Sequence, residues 1–277
     1  MLRKRAERMY DEKLDLSQPI VWASEEERTA AIAFFNAAYR AEESGLAQAH
    51  DLAKDVAAWD PDLAECLRLY GNEEGWHREL LTEFLTWIGG TVKPMGKVTG
   101  TFYKLYGRAD RMETIVLTNL MFETIGSTTY RLALRRATHP AVRQMLTILT
   151  RDESFHVPLN VHFLRQVLAR TPWLSRQRLK PLYHLLYGTL IASAYASRRR
   201  ALTFDKIPFA DLSRAYAEHL GKLFIHESDL ALKPSSTLLR LFGLRRDELA
   251  RSEDLSSVSV AAAEAAVDRE RVAVTAL

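Results

Sequence analysis

The sequence predicts an all-α protein, and three observations carry that prediction. Apolar residues recur at steps of three and four along most of the chain, whereas the two-residue alternation of a half-buried strand is sustained nowhere. Twelve Gly and nine Pro in 277 residues are too few for the many turns of a β-sandwich or barrel. The long periodic segments also sit between helix start and stop signals: Ser24, Pro61, Gly89-Gly90 and His139-Pro140.

The first long segment, 26–56, carries the stripe Ile32, Phe35, Tyr39, Glu42, Leu46, Ala49, Ala53. Ser24 is its expected N-cap, with Glu26 and Glu27 in the first turn. The second, 61–88, has Pro61 in its first turn, where a missing N–H costs nothing, and Gly89-Gly90 to end it. Its stripe is Leu63, Leu67, Tyr70, Glu74, His77, Leu81, Phe84, Ile88. Residues 89–100 hold four Gly and one Pro and read as a long connection. The third segment, 109–137, has the stripe Met112, Val116, Leu120, Glu123, Ser127, Tyr130, Leu134. The fourth, 141–170, follows the His139-Pro140 break with Val142, Leu146, Leu149, Glu153, His156, Asn160, Phe163, Val167. Pro158 lies inside it and is expected to kink it. Short turn, long connection, short turn is the order of two antiparallel pairs joined by a crossover. Further helices are expected at 176–200, 208–230 and 235–250. The reading is thus a single helical domain over 1–250, with a core bundle at 26–170 and extra helices at 174–250. The Ala-, Ser-, Val- and charge-rich tail 251–277 is expected to be disordered.

Composition excludes several classes. One cysteine, Cys66, rules out an internal disulfide framework and any multi-cysteine zinc or iron–sulfur site. A net charge of +3 is too small to argue for a nucleic-acid partner. Residues Met1 to Lys13 lack the apolar stretch of a signal peptide. The longest apolar run, Leu185 to Ala196, is broken by Gly188, Thr189 and Ser193 and falls short of the ~20 residues of a membrane helix. These features predict a cytoplasmic protein with no membrane partner.

The acidic residues inside apolar stripes carry the chemistry. The second segment contains Glu73-Glu74-Gly75-Trp76-His77 and the fourth contains Asp152-Glu153-Ser154-Phe155-His156. Glu and His three apart share a helix face, so each motif aims one carboxylate and one imidazole the same way. Glu42 and Glu123 add one mid-stripe carboxylate each. Helical phase favours Glu42 over Glu43, which is turned away by about 100°. Four Glu and two His toward one interior is a dinuclear carboxylate ligand set. Buried without cations, four acids would cost several kcal/mol each, a burden that metal ions remove. Oxygen donors with imidazole suit iron or manganese: two Fe, Mn/Fe or Mn/Mn. Glu42, Glu74, His77, Glu123, Glu153 and His156 are therefore the expected metal ligands, and through the metals the catalytic residues. His50, His139, His162, His184, His219 and His226 lie off the four stripes and are expected at the surface or in caps. The small run Gly126, Ser127, Thr128, Thr129 after Glu123 either opens a pocket or permits close helix packing.

This pattern resembles the ferritin-like di-iron carboxylate superfamily over residues 26–170, closest in motif to its acyl-carrier desaturase and bacterial monooxygenase branches. Both branches carry an acid immediately before each Glu-x-x-His, as Glu73 and Asp152 do here. Desaturases place Arg before each His, where this chain has Trp76 and Phe155. Arylamine N-oxygenases add a His where this chain has Leu149. The resemblance implies a ferritin-like four-helix bundle with additional C-terminal helices. It implies that Asp152 orients His77 and that Glu73 orients His156, although Asp152 lies at the edge of its stripe. It also implies a non-haem di-iron oxidase or oxygenase that uses dioxygen to hydroxylate, desaturate or N-oxygenate an organic substrate, either free or carrier-bound. Electrons would come from an external donor such as a ferredoxin-type system, and the chain would form a homodimer. The alternative within the superfamily is a ferroxidase, iron-storage or peroxide-reducing protein.

Overall fold

The computed structural model describes residues 2–7, 9–94, 100–101 and 111–252. The tail 251–277 lies almost wholly outside the described residues. The fold is all-α, with no strand among the described residues. Its helices are α1 (Leu2–Ala6), α2 (Glu25–Val56), α3 (Pro61–Trp87), α4 (Met112–Leu134), α5 (Pro140–Arg170), α6 (Trp173–Ala196), α7 (Phe209–His226), α8 (Ser236–Leu241) and α9 (Arg246–Arg251). No helix is long and apolar enough to cross a membrane, among the described residues.

Two compact units share the chain. The first comprises Met1–Arg108, Ala133–Leu146 and Ser197–Ile207. Its centre is the α2–α3 hairpin. Ser24 caps α2 by accepting the Glu27 N–H at 3.1 Å, and Asp60 caps α3 by accepting the Leu63 N–H at 3.0 Å. Helix α3 ends with Gly89 at φ +75°, its N–H on the Thr86 carbonyl and the Gly90 N–H on the Leu85 carbonyl. That pair of bonds needs a left-handed residue, which glycine adopts without a Cβ clash. The hairpin is antiparallel: Gly90 sits against Ile32, Gly45 against Glu74, and Gly71 against Ala49 and His50. Its core packs Phe35 against Phe84 with the rings tilted and their centroids 4.5 Å apart, both fully buried. A turn of helix at Arg198–Arg200 and a π-helical turn at Ala201–Asp205 bring Phe204 to 5.2 Å from Phe34.

The second unit comprises Ala109–Leu132, Thr147–Ala196 and Pro208–Leu277. Here Tyr183 of α6 meets Phe224 of α7 edge-on at 4.8 Å. Arg165 of α5 pairs with Glu227 and Asp229 just beyond α7. Helix α9 lies so close to α7 at Gly221 that a Cβ there would come within 2.9 Å of Leu249.

Several element boundaries differ from the sequence reading. The helix read over 235–250 is two helices, because Gly243 (φ +67°) closes α8, with the Leu244 N–H on the Leu239 carbonyl. The helix read over 176–200 starts earlier, at Trp173, and stops at Ala196. Pro158 lies inside α5, as its place in the fourth segment implied. Helix α1 has no periodic signature and was not expected.

Candidate metal centre

In the first unit, α2 and α3 bring three donors together. The connection after Val56 sets the register: Glu42 lies about four turns before it and Glu74 about four turns after it, so an antiparallel hairpin places them level. The ligand atoms of Glu42, Glu74 and His77 lie within 4.8 Å of one another. His77 Nδ1 is 3.1 Å from Glu42 Oε2. Glu42 is 1% exposed, Glu74 2% and His77 0%. Glu43, the other residue weighed for this role, is half-buried and pairs with Arg40 and, at 3.8 Å, with Arg78. Tyr39 accepts a hydrogen bond from Arg78 at 2.9 Å.

A residue absent from the sequence reading shapes this triad. Gly45 lies one turn beyond Glu42 on the same face of α2, and its missing side chain makes room for Glu74. A Cβ at position 45 would stand 2.9 Å from Glu74 Oε2 and 3.0 Å from its Cδ. The signal available in sequence was the step of three from Glu42.

In the second unit, α4 and α5 build the matching triad. Ligand atoms of Glu123, Glu153 and His156 also lie within 4.8 Å of one another. His156 Nδ1 is 3.3 Å from Glu153 Oε2 and 3.6 Å from Glu123 Oε2. Glu153 and His156 are buried, and the Glu123 side chain is 13% exposed. Burial, and next the Glu123 carboxylate beside it, holds the Glu153 carboxyl well above the usual range. Two carboxylates this close in a dry place require either a proton or a cation between them. Each triad thus offers two carboxylates and one imidazole and no sulfur, a donor set that fits iron or manganese.

The acids preceding each motif are also buried, Glu73 to 4% and Asp152 to 0% exposure. Each is held by an arginine in its own unit. Arg5 of α1 donates to Glu73 Oε1 through Nε (3.1 Å) and Nη2 (2.6 Å). Arg151 donates to Asp152 through Nε–Oδ1 (2.6 Å) and Nη2–Oδ2 (3.0 Å). Neither arginine was expected at the site. Asp152, beside the stripe of α5 in sequence, is fully buried.

The small run on α4 is a docking face for α7. Thr128 Oγ1 lies 2.6 Å from His219 Nδ1, and Thr129 Oγ1 lies 2.7 Å from Tyr216 Oη. Both threonines already donate to carbonyls one turn back, Thr124 at 2.7 Å and Ile125 at 2.8 Å. Each hydroxyl has one proton, so Thr128 accepts from His219 Nδ1–H and Thr129 accepts from Tyr216. His219, expected at the surface or in a cap, is therefore half-buried and bonded to α4. His139 does act as a cap, accepting the Ala141 N–H at 3.2 Å, and His162 is exposed.

No family model and no curated protein sequence matches the chain. Among solved structures it is similar to a point mutant of an R2-like ligand-binding oxidase with an aerobically reconstituted Mn/Fe cofactor. The identity is 16%, the match covers 90% of each chain, and the TM-score is 0.46.

Proposed function

We propose that Glu42, Glu74, His77, Glu123, Glu153 and His156 form one dinuclear centre of a ferritin-like four-helix bundle, holding two iron ions or a manganese–iron pair. The protein is then an oxidase or monooxygenase that uses dioxygen on an organic substrate. The observation that supports this reading is the repetition of a triad of two carboxylates and one imidazole, buried on α2 and α3 and buried but for Glu123 on α4 and α5.

Bound there, a metal pair would supply the redox chemistry toward dioxygen that oxidation of an organic substrate needs. The chain's own residues do the rest. Glu42, Glu74, His77, Glu123, Glu153 and His156 would together hold the two ions, with the glutamates neutralising charge. Trp76, 4% exposed, stands beside His77 with ring centroids 5.5 Å apart and shields it from bulk water. Glu73 and Asp152, each fixed by its arginine, hold the backbone turns that carry Glu74 and Glu153. Reducing equivalents come from an external donor, because the sequence has no nicotinamide or flavin fingerprint. The proposal includes a cytoplasmic homodimer and a small-molecule or carrier-bound substrate.

The test is anaerobic loading with Fe(II), metal analysis, and then oxygen uptake with candidate substrates. About two metals per chain are expected. Glu74→Ala and His156→Ala should each lose metal, while His162→Ala should not. Less than half a metal per chain in the wild type would overturn the assignment. Uptake of hundreds of irons per assembly would replace the oxidase with an iron-storage protein.

A further inference from the structure

We propose that the exposed face of α6 between Trp173 and Leu185 is the docking surface for an acidic electron-donor protein of the ferredoxin type. This rests on the oxidase reading above, which needs an external donor. Helix α6 carries no aspartate or glutamate in its 24 residues. Of the cations near its start, Arg176 has a task inside the fold. It donates to the Thr171 carbonyl through Nε at 2.8 Å and to the Ala169 carbonyl through Nη2 at 3.4 Å, satisfying carbonyls at the end of α5. Arg178 and Lys180 have no such task. Both are exposed, and among the described residues no ion pair or hydrogen bond engages either side chain.

Helical phase gathers apolar residues among these charges. Leu174, Arg178, Pro181 and Leu185 fall within about 60° of one another, and Trp173 and Lys180 lie along one flank. The opposite side of the helix is its packed face, where Leu179, Tyr183 and Leu186 are buried. Trp173 is 71% exposed, Leu174 61% and Leu185 67%, so packing within the chain does not account for them. An exposed tryptophan and two leucines beside cations free of acidic partners have the composition of an interface: an aromatic anchor, apolar neighbours and a charged rim.

Size and sign choose the occupant. From Trp173 to Leu185 the strip is about 18 Å long and one helix, about 10–12 Å, wide, which is roughly 200 Å². A stable dimer needs about 600 Å² or more from each copy, which exceeds the roughly 400 Å² of the whole outer face of α6. A second copy would also bring the same cations and no acid to meet them. A small patch suits an encounter that ends quickly. An iron–sulfur donor delivers one electron at a time, so the two electrons that a metal pair takes up require one donor to leave before the next arrives. The donor's surface must be acidic, because long-range attraction to Arg178 and Lys180 steers only an acidic face onto the strip.

The test is calorimetric titration of the full-length, metal-free protein with a purified acidic [2Fe–2S] ferredoxin, at about 50 mM and about 500 mM salt. Binding is expected at the lower salt and should weaken by about tenfold or more at the higher. Arg178→Glu with Lys180→Glu should weaken the low-salt binding by about tenfold or more, and Trp173→Ala by about fivefold or more. All three side chains are exposed, so the variants should melt as the wild type does. Reversing Arg135 and Arg136, exposed cations elsewhere, should change binding little. In iron-loaded protein, pre-reduced ferredoxin should reduce the Arg178→Glu, Lys180→Glu variant about tenfold more slowly than wild type, whereas dithionite should reduce both at one rate. No binding by the wild type, or equal binding by the α6 variants, would overturn the proposal. So would an equal loss on reversing Arg135 and Arg136, which would make the effect one of net charge alone. A wild type that binds phosphatidylserine vesicles and not ferredoxin, or a dimer that the α6 reversals split, would assign the face to another occupant and overturn it too. A loaded protein that dithionite cannot reduce would instead overturn the oxidase reading.

Discussion

Replacing Gly45 with alanine should separate metal binding from stability, with opposite signs. The new methyl would stand 2.9, 3.0 and 3.3 Å from Glu74 Oε2, Cδ and Cγ, against an ordinary carbon contact of about 3.5–4.0 Å. Glu74 must therefore give way by about half an ångström or more. Its carboxylate is the far end of a flexible side chain, so the fold accommodates the shift cheaply. Alanine is meanwhile favoured over glycine inside a helix by about 0.5–1 kcal/mol. The metal-free variant should thus be as stable as the wild type or slightly more so, with a melting temperature raised by up to about 2–4 °C. Metal affinity should fall by about 10–100-fold, because the displaced oxygen lies outside the tolerance of a metal–ligand bond. Thermal unfolding of apo-protein and competitive Co(II) titration measure the two effects. Unchanged affinity would show that Glu74 is not a ligand. A loss of more than about 2 kcal/mol in the apo-protein would show that the position is packed too tightly for the argument to hold.

Two further tests address the parts of the fold that frame the site. Burial pushes the Asp205 carboxyl from 3.8 up to about 7, with Arg200 offsetting only part of the rise. Between those values the folded protein holds a proton that the unfolded chain has released, so stability falls as pH rises from about 4 to 7, by at most about 4 kcal/mol. Asp205→Asn should remove that fall, giving a variant more stable than wild type at pH 8 and equal to it near pH 4; parallel urea midpoints across the range would refute this. Thr128→Val removes the acceptor of His219 Nδ1–H and should cost about 1 kcal/mol, the low end for a lost partner because His219 is only half-buried. Thermal unfolding checks the cost, and a variant as stable as wild type would mean that the α4–α7 bond contributes nothing.

Much of the centre was legible because its information is local. Glu74 and His77, or Glu153 and His156, are joined by helical geometry alone, and three residues of spacing suffice to put them on one face. The Glu42 and Glu43 choice was also local, since one residue of phase separates the enclosed position from the one that pairs with Arg40. The break at Gly243 carried a helix-stop signal that the apolar run around it concealed. Arg5 carried none: its partner is 68 residues away, and nothing in an irregular terminal segment announces where it docks.

The burial of Asp152 and Glu73 was less legible, because a stripe does not record it. A stripe assigns each residue of a helix one environment, inside or outside, and successive residues differ by about 100°. Glu73 with Glu74, and Asp152 with Glu153, are nevertheless all buried. A helix that buries both members of such a pair is enclosed on more than one side, and then each acid needs a cationic partner of its own. One acid of each pair faces its triad, where a metal would supply the charge. The other is met by an arginine, Arg5 at Glu73 and Arg151 at Asp152. Two adjacent acids in the middle of a long apolar helix are therefore a sequence signal for two distinct cations, one exchangeable and one covalently part of the chain. The two arginines differ in where the chain supplies them: Arg151 is the sequence neighbour of Asp152, whereas Arg5 lies 68 residues from Glu73.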